Sequence, residues 1–195
     1  MDNEVSAWHQ LSSQSAQLLL CDLQKQIVAR SKTTDKETLA RSAGVLLELA
    51  KLFALPTTLS VVPEGEKAPE LIPELRNSGF AQEKLRASAS PFTEPSTVEA
   101  LARSERKVLV VAGFATEVVV LHAVLDARKQ GYRVLVPVDV CGGMSERTEE
   151  AALRQIEAAG AITTSVVSIA TKLAPDFTTD LGKQMFGIVQ KLRLS

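Results

Sequence analysis

The sequence predicts a three-layer α/β/α domain, a doubly wound, Rossmann-like sheet of six parallel strands with helices on both faces. Three observations lead there. Short β-rich apolar runs alternate with longer stretches of helical period from Gln17 onward. Most of those runs are apolar on both faces, as strands covered from either side must be. The chain has 195 residues, 45% of them hydrophobic, which suits one sizeable core rather than two. The expected organisation is a polar N-terminal tail over 1–15 and a single domain over 16–195.

Taken in order, the strands are expected at "QLLLC" (17–21), "TTLSVV" (57–62), "EKLRA" (83–87), "KVLVVA" (107–112), "RVLVPV" (133–138) and "AITTSVV" (161–167). Between the first two, Leu39, Ala43, Leu46, Leu47, Ala50 and Phe53 recur at helical spacing, and Pro56 closes that segment. "STVE", Ser96 to Glu99, fits a capping box that opens another helix. Gly131 and Gly160 sit where two later helices should stop, and Ser145 where one should start. The helix "TEVVVLHAVLDARKQG" is apolar around much of its circumference, so burial by the sheet and by another layer or subunit is expected.

Charge excludes some classes of function. Twenty-two Lys and Arg balance twenty-three Asp and Glu without long runs, leaving a net charge of −1 and no electrostatic footprint for nucleic acid. Apolar runs such as "VLVVAGFA" fall well short of a membrane span, and "MDNEVSAWHQLSSQSA" lacks a signal peptide's apolar region. Two cysteines, Cys21 and Cys141, make no disulfide framework and no metal-type pairing. A cytoplasmic protein acting on or binding a small molecule is therefore expected, with no metal and no cofactor.

In a doubly wound sheet, ligands bind at the carboxyl ends of the strands. The first strand ends in "LLLCDLQ", which puts Asp22 at that edge, either as a general acid or base or as a turn residue. The third, "KLRASASPF", offers Lys84 and Arg86 as cations, and spacing alone does not choose between them. After the fourth comes "VVAGFATEVVVLHAV", where Gly113 permits a tight turn and backbone N–H groups near Thr116 could face an oxyanion. His122 reads as a buried or interface residue, and His9 lies in the polar tail. Asp139 and Cys141, in "PVDVCGGMSERTEEAAL", read as loop architecture first and ligand contacts second.

Together, "LLLCDLQ", "RASASPF", "VVAGFATEVVV" and "GYRVLVPVDVCGG" resemble the isochorismatase-like cysteine hydrolase family, in particular its YcaC-type subgroup, from about Ala16 to Thr164. The resemblance implies that Asp22 stands at the catalytic aspartate's place, with Gln24 completing the D-x-Q motif, and that Arg86 before Phe92 stands at the catalytic cation's. The family turn G-x-x-T-x-x-C-V, laid on Gly113, Thr116 and Val120, puts Val119 where the nucleophilic cysteine belongs. It implies Gln24, Phe92, Ala115 and Thr116 as the substrate and oxyanion pocket, with a non-proline cis peptide at Ala115–Thr116. It also implies a homo-oligomer, an octamer in the YcaC-type group.

Three readings follow. A noncatalytic or small-ligand-binding member takes Val119 at face value. A cysteine-independent hydrolase of a vinyl ether or C–N bond would use Asp22 as acid or base and Arg86 to stabilise charge. A replacement thiol, Cys141 or Cys21, would need an activation that neither position supplies. The second-strand exit "VVPEGEKAPELIPEL" is expected at the pocket rim.

Overall fold

The computed structural model describes residues 7–65, 68–76 and 79–193. In chain order the elements are α1 (Ala7–Gln10), β1 (Ala16–Cys21), α2 (Lys25–Val28), α3 (Lys36–Leu52), β2 (Thr57–Val61), β3 (Gln82–Leu85), α4 (Pro95–Arg103) and β4 (Val108–Phe114). There follow α5 (Leu121–Lys129), β5 (Arg133–Pro137), β6 (Cys141–Gly142), α6 (Glu146–Ala158), β7 (Ile162–Thr164), α7 (Val166–Leu173) and α8 (Asp180–Val189). Every strand pairing is parallel, in the order β3-β2-β1-β4-β5-β7, with the two-residue β6 pairing the far end of β4.

That order builds outward from β1 in one direction and from β4 in the other. The reversal leaves a crevice at the carboxyl ends of these two central strands, the usual ligand position of an open α/β sheet. Every residue of β1 and β4 is buried, as expected for strands covered on both faces. Each fully buried Leu among them, such as Leu19 or Leu109, contributes about 1.5–3 kcal/mol by leaving water.

The helices follow their local signals. Asp35 caps α3 by accepting from Thr38 N (3.0 Å), and Leu39, Ala43, Leu46 and Ala50 form its core stripe. Ser145 caps α6 as its position predicts, accepting from Thr148 N (3.2 Å). At Gly113 the backbone turns with φ +143°, and a Cβ there would lie 2.0 Å from the Cys21 carbonyl oxygen, so only glycine lets β4 approach β1.

Several boundaries differ from the sequence reading. Helix α4 starts one residue earlier, at Pro95. Glu94, not Ser96, caps it by accepting from Ser96 N (3.2 Å), because proline's fixed φ suits the first helical position. Strand β7 ends at Thr164 instead of running to 167, because Ser165 caps α7 through Ser168 N (3.2 Å) and Asp139 accepts from Val166 N (3.0 Å). The sheet has a seventh strand, β6. The N-terminal segment is not a free tail over its described part, since Ala7 and Leu11 join the core. Of the two readings of His122, buried or interface, exposure on α5 removes the first within the chain, the apolar pattern there being met by Leu121, Ala123 and Val124.

Candidate active site at the carboxyl edge of the sheet

Asp22 follows β1 directly and Arg86 follows β3, with β2 between them. Two strand spacings, about 9–10 Å, separate the chains that carry these residues. The long guanidinium side chain crosses that gap over Ser60 of β2. Arg86 donates from both terminal nitrogens to the two Asp22 carboxylate oxygens, at 2.6 Å each, and from one of them to Ser60 Oγ at 3.1 Å. This is the bidentate, charge-assisted geometry in which an ion pair is strongest. Asp22 is 7% exposed and Arg86 3%. Burial pushes the Asp22 carboxyl up from its ordinary range, opposed by the hydrogen bonds and charge of Arg86. Arg86 Nε is buried and has no hydrogen-bond partner among the described residues. The backbone locks the aspartate too: it turns left-handed at Asp22 (φ +53°), which Asp tolerates better than most residues, and its N–H donates to Ser60 O (2.8 Å). Lys84, the other candidate cation, stays partly exposed on β3.

Val119 lies just beyond β4, in a wide helical turn over Thr116–Val120 that leads into α5, and is 0% exposed. The non-proline cis peptide is Phe114–Ala115, one bond before the expected Ala115–Thr116. Thr116 is buried, and its hydroxyl lies within donating distance of Gly142 O (3.1 Å) and Glu149 Oε1 (2.7 Å), tying the turn to β6 and α6. Ala115 is buried, and its carbonyl accepts from Val118 N (3.1 Å).

The other two expected pocket residues, Gln24 and Phe92, are buried as well. Gln24 is fully buried, and its amide brackets the exit of β2: it donates to Val62 O (3.0 Å) and Glu64 Oε1 (2.7 Å) and accepts from Val62 N (2.9 Å). Phe92 is buried against Tyr132, with ring centroids 6.1 Å apart. The cavities of about 780 and 730 Å³ on the described surface are not lined by Asp22, Arg86 or Val119. Segment 62–65, from the expected rim, does line the smaller of them.

Neither thiol is activated. Cys21 and Cys141 are both buried; burial raises the Cys21 thiol far above its ordinary range, with the Asp22 charge adding to the effect, and pushes Cys141 up to about 12. A nucleophilic cysteine requires the opposite shift. Among the described residues no cluster of three or more His, Cys, Asp or Glu could hold a metal ion. Sequence reading missed Ser60, which becomes visible only once β2 is known to lie between the strands bearing Asp22 and Arg86. It also missed Glu117, whose carboxylate accepts from Met144 N and Thr148 Oγ1, both at 2.8 Å.

A family model described as "Isochorismatase domain" matches residues 16–168, covering both strand ends and the turn after β4. The chain belongs to this family. It is similar to "Probable hydrolase YcaC" of Escherichia coli (strain K12), 27% identical over 175 residues, covering 88% of this chain and 83% of that protein. Among solved structures, YcaC from Pseudomonas aeruginosa, with hexane-2,5-diol and covalent acrylamide, superposes with a TM-score of 0.87 at 25% identity, over 93% of this chain and 90% of that one. The Escherichia coli YcaC structure, described as an octameric hydrolase of unknown specificity, gives 0.86 at 28% identity over 94% and 92%. The parallel sheet with its flanking helices is thus the isochorismatase-like fold, as the motifs imply.

Proposed function

We propose that this chain is a non-hydrolysing member of the isochorismatase domain family, in which Val119 occupies the nucleophile's position and the Asp22–Arg86 pair holds the sheet edge together. One observation carries the reading. Asp22 and Arg86 are paired through two 2.6 Å bonds while almost entirely buried, beside a turn whose side chain at 119 is apolar and inaccessible. A carboxylate paired on both oxygens with a guanidinium is held in its ionised form and keeps only its outer lone pairs for water or substrate. The two thiols lie outside this arrangement and are held protonated.

A second reading, a cysteine-independent hydrolase with Asp22 as acid, is favoured by the unpartnered Arg86 Nε, a donor that a substrate oxygen could use. Homo-oligomeric assembly is part of the proposal. Its support is the octameric relative and the exposed Leu85, Val118, Val138 and Met144, apolar side chains next to the ends of the strands. So is residence in the cytoplasm, where two buried free thiols suit a reducing environment. No described helix is long and apolar enough to cross a membrane.

Hydrolysis assays over a panel of small amides and vinyl ethers separate the readings. The first expects the wild-type rate to equal that of Asp22→Asn. Turnover that falls about a hundredfold or more in folded Asp22→Asn, the usual size of a lost acid–base group, would overturn it in favour of the second.

A further inference from the structure

Helix α3 carries two apolar stripes. Leu39, Ala43, Leu46 and Ala50 form the buried one that meets the core. Ala40, Gly44 and Leu47 lie about 100° round the helix and form one side of the 780 Å³ groove. Val28 at the end of α2, and Ile72 and Phe80 of the β2–β3 connection, supply the other apolar walls, with Phe80 42% exposed at the rim. The volume falls within the range of small-molecule sites.

The charge around the groove is one-sided. Five cations line it (Lys25, Lys36, Arg41, Lys51, Lys191) against three carboxylates (Glu37, Glu48, Glu74), in a chain whose net charge is −1. Lys25, Lys36 and Lys191 are ion-paired to Glu70, Glu37 and Glu48. Arg41 and Lys51 carry no ion pair among the described residues, and neither does the lining carboxylate Glu74, whose side chain lies against Gly44. The two cations stand about 15 Å apart along α3. An apolar trough with two unpaired cations near its ends, against the one unpaired carboxylate of Glu74, favours a ligand with a greasy body and an anionic head.

We propose that this groove is a binding site for a soluble amphiphilic carboxylate, its apolar body lying on Leu47, Ile72 and Phe80 and its carboxylate held by Arg41 or Lys51. The site uses none of the strand-end residues, so it stands or falls independently of the catalytic question.

The test is isothermal titration calorimetry of the full chain with decanoate below its micellar concentration, alongside octanoate, decanamide and decyltrimethylammonium. One decanoate per chain is expected. Affinity should drop about fourfold for each methylene removed, and decanamide and decyltrimethylammonium should bind at least tenfold more weakly. The variant Arg41→Ser/Lys51→Ser, altered at surface positions and checked for an unchanged circular dichroism spectrum, should also lose at least tenfold. The proposal is overturned by no binding at millimolar decanoate, by equal binding of the cationic amphiphile, or by affinity unchanged in the double variant. It is equally overturned if the double variant lowers the assembly mass in light scattering without wild-type decanoate binding, which makes the groove a subunit contact. Cosedimentation with phosphatidylglycerol vesicles without binding of monomeric decanoate would overturn it too, making the groove a membrane contact.

Discussion

Replacing Arg86 with methionine keeps the length and most of the volume of the side chain but removes its charge. Two charge-assisted bonds at 2.6 Å and a third to Ser60 disappear, leaving the Asp22 carboxyl 7% exposed with no cation beside it. Breaking a buried pair from one side costs about 3–5 kcal/mol, because the remaining charge is stranded. That is a large fraction of the roughly 5–15 kcal/mol that stabilises a typical protein. With a urea slope of about 2 kcal/mol/M, the unfolding midpoint should fall by roughly 1.5–2.5 M. Asp22→Asn suits the left-handed backbone at position 22 and should lose a similar amount by stranding Arg86. The double variant Asp22→Asn/Arg86→Met strands no charge, so its loss should be smaller than the sum of the single losses by at least about 2 kcal/mol. The cycle is measured by urea unfolding at one protomer concentration, since assembly contributes to apparent stability. If Arg86→Met costs under about 1 kcal/mol, or stabilises the protein as removal of a catalytic group often does, the pair is not a structural clamp.

Two further outcomes follow from the same edge of the sheet. Gly113→Ala should yield no folded protein on expression, since its Cβ would meet the Cys21 carbonyl oxygen at 2.0 Å and both partners are backbone; a folded variant with a wild-type unfolding midpoint would refute the close approach of β1 and β4. Burial raises the Asp139 carboxyl against the bonds from Val166, so the folded state holds that proton to higher pH than the unfolded chain does. The stability advantage of wild type over Asp139→Asn should therefore shrink as pH rises from the ordinary carboxylate range to the raised value, and a widening gap in urea titrations across that window would contradict this.

The parts of the site that were legible in the sequence are those fixed by local pattern. Asp22 and Arg86 each end a β-rich run, and strand ends on one edge of a parallel sheet converge whatever the details of packing. Ser60 was not legible, because its role depends on strand order: only when β2 lies between β1 and β3 does a serine fall under the guanidinium. Gln24 is a different case. The family resemblance implies it as a pocket residue through the D-x-Q motif, and the partners of its amide, Val62 and Glu64, lie across a long connection that local spacing does not reveal. The early end of β7 has the same origin, since Asp139 caps α7 from another loop. His122 reads as buried or interface because an apolar helix is expected to be covered throughout, whereas within one chain this one turns Val118 and His122 outward, which leaves the interface half of that reading.

The central claim, a family fold whose nucleophile position is filled and closed, is tested most directly by Val119→Cys. The substitution puts a thiol at that position with little change in volume, and iodoacetamide at neutral pH reports whether the thiol is reachable and activated, read by intact mass. In the native state the account predicts slow labelling of both proteins: Cys21 and Cys141 are buried with raised thiol values, and position 119 is sealed. Unfolded in guanidinium, the parent should take up two labels and the variant three. Rapid, stoichiometric labelling of native Val119→Cys but not of the parent would contradict the account, because it would reveal an open, electropositive site that lacks only its nucleophile.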